Sequence, residues 1–172
     1  MELERIELLA RQNRYDEALA FCEKLLQGDQ ENTTNILRTR AFIFARSGQY
    51  EYAMQDFQTI FGMGEGAISD YYLAATHALS ARQFTQAITW LEEVLRLGKE
   101  QQEEWFESAT YFLLAYAQME LGQLPEAIMN LNLAVAVDAD VAMPLPRRRG
   151  IYSHKQLRDE IEHRTPKNRV EK

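Results

Sequence analysis

Hydrophobic positions along the chain recur in a phrase about every 35 residues: an aromatic residue or Leu, an Ala three further on, and another apolar residue four beyond it. The phrase reads Tyr15, Ala18, Cys22; then Tyr50, Ala53, Phe57; then Phe84, Ala87, Leu91; then Leu124, Ala127, Leu131. Its alanines stand 35, 34 and 40 residues apart. Spacings of three and four mark one face of an α-helix. A unit copied at such a period buries its apolar face only against its neighbours, so the pattern predicts a stack of repeats.

The second, third and fourth copies are each preceded by a further helical stripe: Ile36, Leu37, Ala41, Phe44; Tyr71, Tyr72, Ala75, Leu79; Tyr111, Leu114, Ala115, Met119. Ala41, Ala75 and Ala115 let two helices approach closely, which predicts helical hairpins. Gly48 and Gly122 suit the left-handed residue that ends a first helix, and Pro125 suits the first turn of a second. The predicted helices are 2–12 with 15–27, 33–47 with 50–62, 67–81 with 84–97, and 101–121 with 125–137. The joints between units are Gly28-Asp29-Gln30, Gly62-Met63-Gly64-Glu65-Gly66, Gly98-Lys99 and Asp138-Ala139-Asp140. Six additional residues in the fourth unit, within Glu100 to Glu107, read as an N-terminal extension of its first helix, because acids favour that end. Trp105 and Phe106 on it either pack on the neighbouring repeat or stand exposed for a partner.

The pattern stops at Met143-Pro144-Leu145-Pro146, where proline enforces extended backbone. A short helix restarts with a Ser153–Gln156 capping box, Tyr152 stapling onto Leu157, and an apolar stripe of Leu157 and Ile161. So short a helix is marginal alone. It must cap the stack, enter the groove or dock on a partner. The organisation expected is a repeat domain over 1–143, with units of about 1–32, 33–66, 67–100 and 101–140, then a Pro-containing linker, short helix and basic tail over 144–172.

These units resemble tetratricopeptide repeats over roughly residues 1 to 140. The most specific matches are Gly48-Gln49-Tyr50 with Ala53 and Phe57, and Gly122-Gln123-Leu124-Pro125-Glu126-Ala127 with Leu131 and Ala134. The first copy matches only from Asn13, Arg40 stands where the family usually has Leu, and the proline at unit ends is replaced by Gln30, Glu65, Lys99 and Ala139. The resemblance implies an all-α, right-handed α-solenoid of about four hairpins plus a short C-terminal helix. It also implies a concave groove lined by the first helices. Mapped onto this chain, its partner-contacting positions are Asn35, Arg38, Phe42 and Arg46, then Ser69, Tyr72 and Thr76, then Phe112, Tyr116 and Glu120; Trp105 on the extension is a further candidate contact read from the residues themselves. Phe42, Tyr72, Phe112 and Tyr116 then form an aromatic floor, and Arg38 and Arg46 suit a carboxylate. The alternative is that the rings pack between hairpins and the arginines pair with acids. Co-chaperones of this family that clamp a heat-shock chaperone's C-terminal carboxylate use Lys and Asn. The matching slots here hold Leu3, Glu7, Arg38 and Phe42, so that clamp is not expected.

Composition narrows the functional classes. With 46% apolar residues the chain has material for a continuous core. An acidic opening and the lack of any apolar run of about 18 residues point to a soluble, cytoplasmic protein without a membrane span. The net charge is −7, but residues 145–172 hold nine Lys or Arg against four acids, leaving −12 on the rest. An acidic body repels nucleic acid and suits masking a basic partner. Cys22 sits in a repeated apolar slot and reads as a core thiol. His77 reads as a satisfied inter-helix histidine, and His154 and His163 are nine apart, the wrong spacing for a helical metal site. Gly62–Gly66 follows a helix and reads as a linker, not a phosphate cradle. No catalytic, cofactor or metal residues are assigned, and enzymatic activity is not expected. The expected function is a non-catalytic module holding a peptide or helix of a protein partner. Small bacterial secretion-type chaperones and toxin-neutralising immunity proteins are of similar size. The second expectation is an assembly subunit that self-associates through the stack end or the C-terminal helix.

Overall fold

The structure, a computed structural model, describes residues 2–28 and 32–165. Among them the helices are α1 (Glu2–Arg11), α2 (Tyr15–Gly28), α3 (Thr33–Arg46), α4 (Tyr50–Gly62), α5 (Ile68–Ser80), α6 (Phe84–Gln101), α7 (Glu107–Glu120), α8 (Leu124–Val137) and α9 (His154–Arg164). Two short strands, β1 (Ala142–Pro144) and β2 (Ile151–Ser153), pair antiparallel with Met143 opposite Tyr152. Asp29 and Gln30 of the first joint, and Lys167, Arg169 and Lys172 of the basic tail, lie outside the described residues.

The chain divides into two compact units, Met1–Ala81 and Arg82–Lys172. In the first, α1 to α5 pack successively, and α1 also touches α3. In the second, α6 packs on α7, α7 on α8, and α9 on both α8 and α7. The repeated phrase explains the core. Ala18, Ala53, Ala87 and Ala127 are fully buried, as are Ala41, Ala75 and Ala115 from the first helices. Cys22, Phe57, Leu91 and Leu131 are buried beside them. Burial pushes the Cys22 thiol up to about 11, as a core cysteine requires.

Each second helix is preceded, two residues before its start, by a left-handed residue: Asn13 (φ 59°), Gly48 (79°), Arg82 (62°) and Gly122 (77°). The Arg14, Gln49 and Gln123 amides then donate to the carbonyls of Leu9, Phe44 and Gln118, at 3.0, 2.7 and 2.9 Å. These bonds satisfy orphan carbonyls at the ends of the first helices. Sequence identified the turn where it holds glycine; Asn13 and Arg82 adopt the same conformation with a side chain.

Arg40, which departs from the repeat consensus, has a partner. Its Nε and Nη2 donate to the two Asp56 oxygens at 3.0 and 2.5 Å, joining α3 to α4. Asp56 is buried, and burial raises its carboxyl above the ordinary value while the Arg40 fork opposes the rise. A charged pair thus replaces an apolar contact inside the second hairpin.

Two expectations are corrected. The additional residues of the fourth unit lengthen α6, not α7, and Gly98-Lys99 lies inside α6 instead of forming a joint. The cause is local. Gln102 adopts a left-handed conformation (φ 57°), and the Gln102 and Glu103 amides both turn back to the Gly98 carbonyl. A Cβ at Gly98 would lie 2.9 Å from the Glu103 carbonyl oxygen, so only glycine admits this return. The acids still serve a helix start, with Glu107 in the first turn of α7.

The chain is extended over Ala142–Pro144, as predicted for the residue before Pro144, but the pairing of this stretch into a hairpin was not predicted. Arg147 (φ 62°) and Gly150 (φ 80°) turn the chain, and Val141 and Leu145 are buried. The predicted capping box forms: the Ser153 amide donates to Gln156 Oε1 at 2.9 Å, and the Gln156 amide to Ser153 Oγ at 3.4 Å. Leu157 and Ile161 are fully buried where α9 lies on α8 and α7. Tyr152, predicted to staple onto Leu157, donates its hydroxyl to Glu160 at 2.7 Å. A closed ring of charges secures the segment: Arg148 contacts Glu120 and Glu160 at 3.1 and 2.6 Å, and Arg164 contacts the same acids at 3.0 and 2.8 Å. Glu120, mapped to the groove by sequence, is therefore occupied by the chain's own C-terminal segment.

Candidate functional site

Two cavities of the first unit lie along its first helices, α1, α3 and α5. Asn35, Arg38, Phe42 and Arg46 share one face of α3 through spacings of three and four. A cavity of about 480 Å³ lies on the α1 side, lined by Glu7, Ala10, Arg11, Arg38, Thr39, Phe42 and Arg46. A second, of about 470 Å³, lies on the α5 side, where Ser69, Asp70, Leu73 and His77 join Arg38 and Phe42. Phe42, 53% exposed, is shared by both.

The electrostatics of the strip depend on which cations are already paired. Arg38 grips Asp70 with Nε at 3.0 Å and Nη2 at 2.8 Å, and Nη1 donates to Asn35 at 3.3 Å. Buried Asp70 also accepts the Ala67 amide at 2.9 Å, so Arg38 ties α3 to the start of α5. This is the paired alternative for Arg38, and its charge is spent. Arg46 instead lies over the Phe42 ring, 5.9 Å from its centroid. Arg11 meets Glu7 at 3.6 Å with both side chains exposed, a pair worth little in water.

His77 closes the cavity floor, its ring near those of Tyr50 and Phe57 at 6.2 and 5.9 Å. Burial pushes its pKa down to about 4, because imidazolium is poorly solvated there. The folded protein keeps His77 neutral while the unfolded chain takes up a proton below about pH 6.5. The stability this represents is therefore present above pH 6.5 and lost as pH falls towards 4. Urea unfolding at pH 7 and 4.5 should show a fall about 2 to 3 kcal/mol larger in the wild type than in His77→Gln. Equal falls would place the imidazole in water.

The remaining sequence-assigned positions separate. On α5 the register is one residue off: Tyr72 is half-buried, with burial raising its hydroxyl pKa, and Thr76 donates to the Leu73 carbonyl at 2.7 Å. Leu73, 46% exposed, lines the cavity instead. The stripe Ser69, Leu73, His77 at intervals of four was the available signal. In the second unit Phe112 is fully buried and Tyr116 is 4% exposed, so neither belongs to an open groove. The reason is coverage: α7 lies against α6, α8 and α9, and every residue from Phe112 to Met119 is buried. Tyr116 donates its hydroxyl to the Pro146 carbonyl at 3.2 Å and meets Phe84 edge-on. Phe106 is buried, whereas Trp105 stands 69% exposed against it, with Nε1 donating to Glu103 at 3.1 Å. Among the described residues no group of three or more His, Cys, Asp or Glu could hold a metal ion. No described helix is long and apolar enough to cross a membrane.

Helix pairs with fully buried alanines at this period, joined by a recurrent left-handed turn, have the architecture of tetratricopeptide-type repeats, and the fold class is an all-α solenoid. Residues 11–94 match the family model for anaphase-promoting complex, cyclosome, subunit 3. Among solved structures the chain is similar to MamA 41-end from Desulfovibrio magneticus RS-1, at 20% identity and a TM-score of 0.65 over 80% of this chain and 76% of that one. It is similar to YrrB, a TPR protein with an unusual peptide-binding site, at 19% identity and a TM-score of 0.64 over 80% and 68%. It is also similar to the TPR-like repeats of a putative kinesin light chain from Podosopora anserina, at 17% identity and 0.64 over 80% and 74%. At these identities the likeness is one of fold. No curated protein matches the sequence.

Proposed function

We propose that the protein is a non-catalytic interaction module that holds a segment of one protein partner, extended or helical, along α1, α3 and α5. The observation that carries this reading is Phe42, a large ring left half in water on the face of α3 between two cavities. Exposed aromatic anchors flanked by pockets are where binding energy concentrates. The unusual peptide-binding site of YrrB is consistent with this use of the fold. A secretion-type chaperone or a toxin-neutralising immunity protein would be a finer form of the same reading. In affinity capture from native lysate, Phe42→Ala should lose the co-purifying protein while its melting transition stays within about 0.5 kcal/mol of wild type, as expected at an exposed site. Retention of that protein would move the binding surface elsewhere.

Self-association is the second reading, and one observation favours it. From Ala127 to Val137 helix α8 carries no charge, and Met129, Leu133 and Val137 are exposed on it. In an acidic chain such a face is the least repulsive contact between copies. A monomer by light scattering at about 100 μM would remove this reading, that concentration being far above the Kd of a stable interface.

A further inference from the structure

We propose that the α1–α3–α5 strip selects an acidic segment bearing a large apolar side chain: the apolar group seats on Phe42 and Leu73, and carboxylates meet Arg11 and Arg46. The inference rests on the strip being the partner groove, and it names what that groove recognises. Residues 1–81 hold twelve acids against seven Lys or Arg, a net of −5, so by bulk charge this unit favours basic partners. Its groove is locally inverted. The cavity beside α1 is lined by three arginines and a single acid.

Of these arginines, Arg38 is committed to Asp70 by a two-pronged contact and stiffens the α3–α5 wall. Arg11 is held only by a long, exposed contact to Glu7. Arg46, exposed and lying over Phe42, has no carboxylate partner among the described residues. Two cations with unused donors therefore border the exposed ring on the α1 side. On the α5 side the surface is Leu73, Ser69 and neutral His77, with no free charge because Asp70 is satisfied. A basic segment would set its charges against Arg11 and Arg46. An acidic one converts them into charge-assisted, two-pronged hydrogen bonds beside an apolar seat.

The probe is a phage-displayed library of random dodecapeptides selected on the intact protein at about 0.05 M salt, where screening of exposed charges is weak. Selected peptides should carry Asp or Glu within a few residues of Phe, Trp or Leu. Their Kd, read by fluorescence polarisation, should weaken about tenfold or more in Arg46→Glu, and further with Arg11→Glu added. Lys24→Glu, an equal charge change on exposed α2, should leave it unchanged. Rising salt should weaken the wild type and not the reversed variants. Basic or uncharged peptides, or a Kd indifferent to Arg46→Glu, overturn the proposal. If Phe42→Ala still abolishes binding in that case, the groove reading stands and only the acidic preference fails. If Phe42→Ala is also without effect, the groove reading fails with it. Circular dichroism of each variant confirms that these exposed substitutions leave the helices intact.

Discussion

Asp56→Ala is expected to destabilise the protein by about 3 to 5 kcal/mol, because it leaves the Arg40 guanidinium partly buried with nothing to neutralise it. The pair bridges α3 and α4 through two hydrogen bonds, and Asp56 is buried within the second hairpin. Breaking such a pair costs far more than the pair contributes, since both charges were desolvated to make it. The double variant Arg40→Leu with Asp56→Leu should therefore recover to within about 1 kcal/mol of wild type, or exceed it, by restoring the apolar contact usual in these repeats. Urea unfolding followed by far-UV circular dichroism measures both. A loss below about 1 kcal/mol for Asp56→Ala would mean that water reaches the pair, as it does for exposed ion pairs.

Phe112→Ala is expected to cost about 3 to 5 kcal/mol, the usual range for truncating a fully buried Phe. The position matters because the repeat pattern assigns it to the groove, where truncation costs little stability and removes binding. In the folded chain α6, α8 and α9 surround α7, and the Phe112 ring has no route to a partner. Thermal melting and peptide binding of the same variant decide the matter. A stable variant with lost binding would return Phe112 to the surface; a lowered melting point confirms it as core.

Much of the fold was legible because it rests on local chemistry. Helical spacing, the small residues at Ala41, Ala75 and Ala115, and glycine at two of four turns define the hairpins, and the helix ends away from the α6–α7 joint fall within one residue of those expected. The Ser153–Gln156 capping box was legible for the same reason: both partners lie within one turn. The site was only partly legible. Phe42 and Arg46 are exposed as the mapping implies, whereas Leu73 was missed, and Phe112 and Tyr116 were placed outside although they lie within. An aromatic residue at a groove position has the same sequence signature as one under a neighbouring element.

The sequence by itself determined the helical repeats, their turns and their buried faces, because each depends on residues a few positions apart. Only the tertiary structure decided which exposed-type positions remain open and which charges remain unpaired. Arg38 is spent on Asp70, 32 residues away, and Tyr116 is covered by the carbonyl of Pro146, 30 residues away. Burial and ion pairing are set by whatever the chain brings back from a distance, and no periodicity records that return.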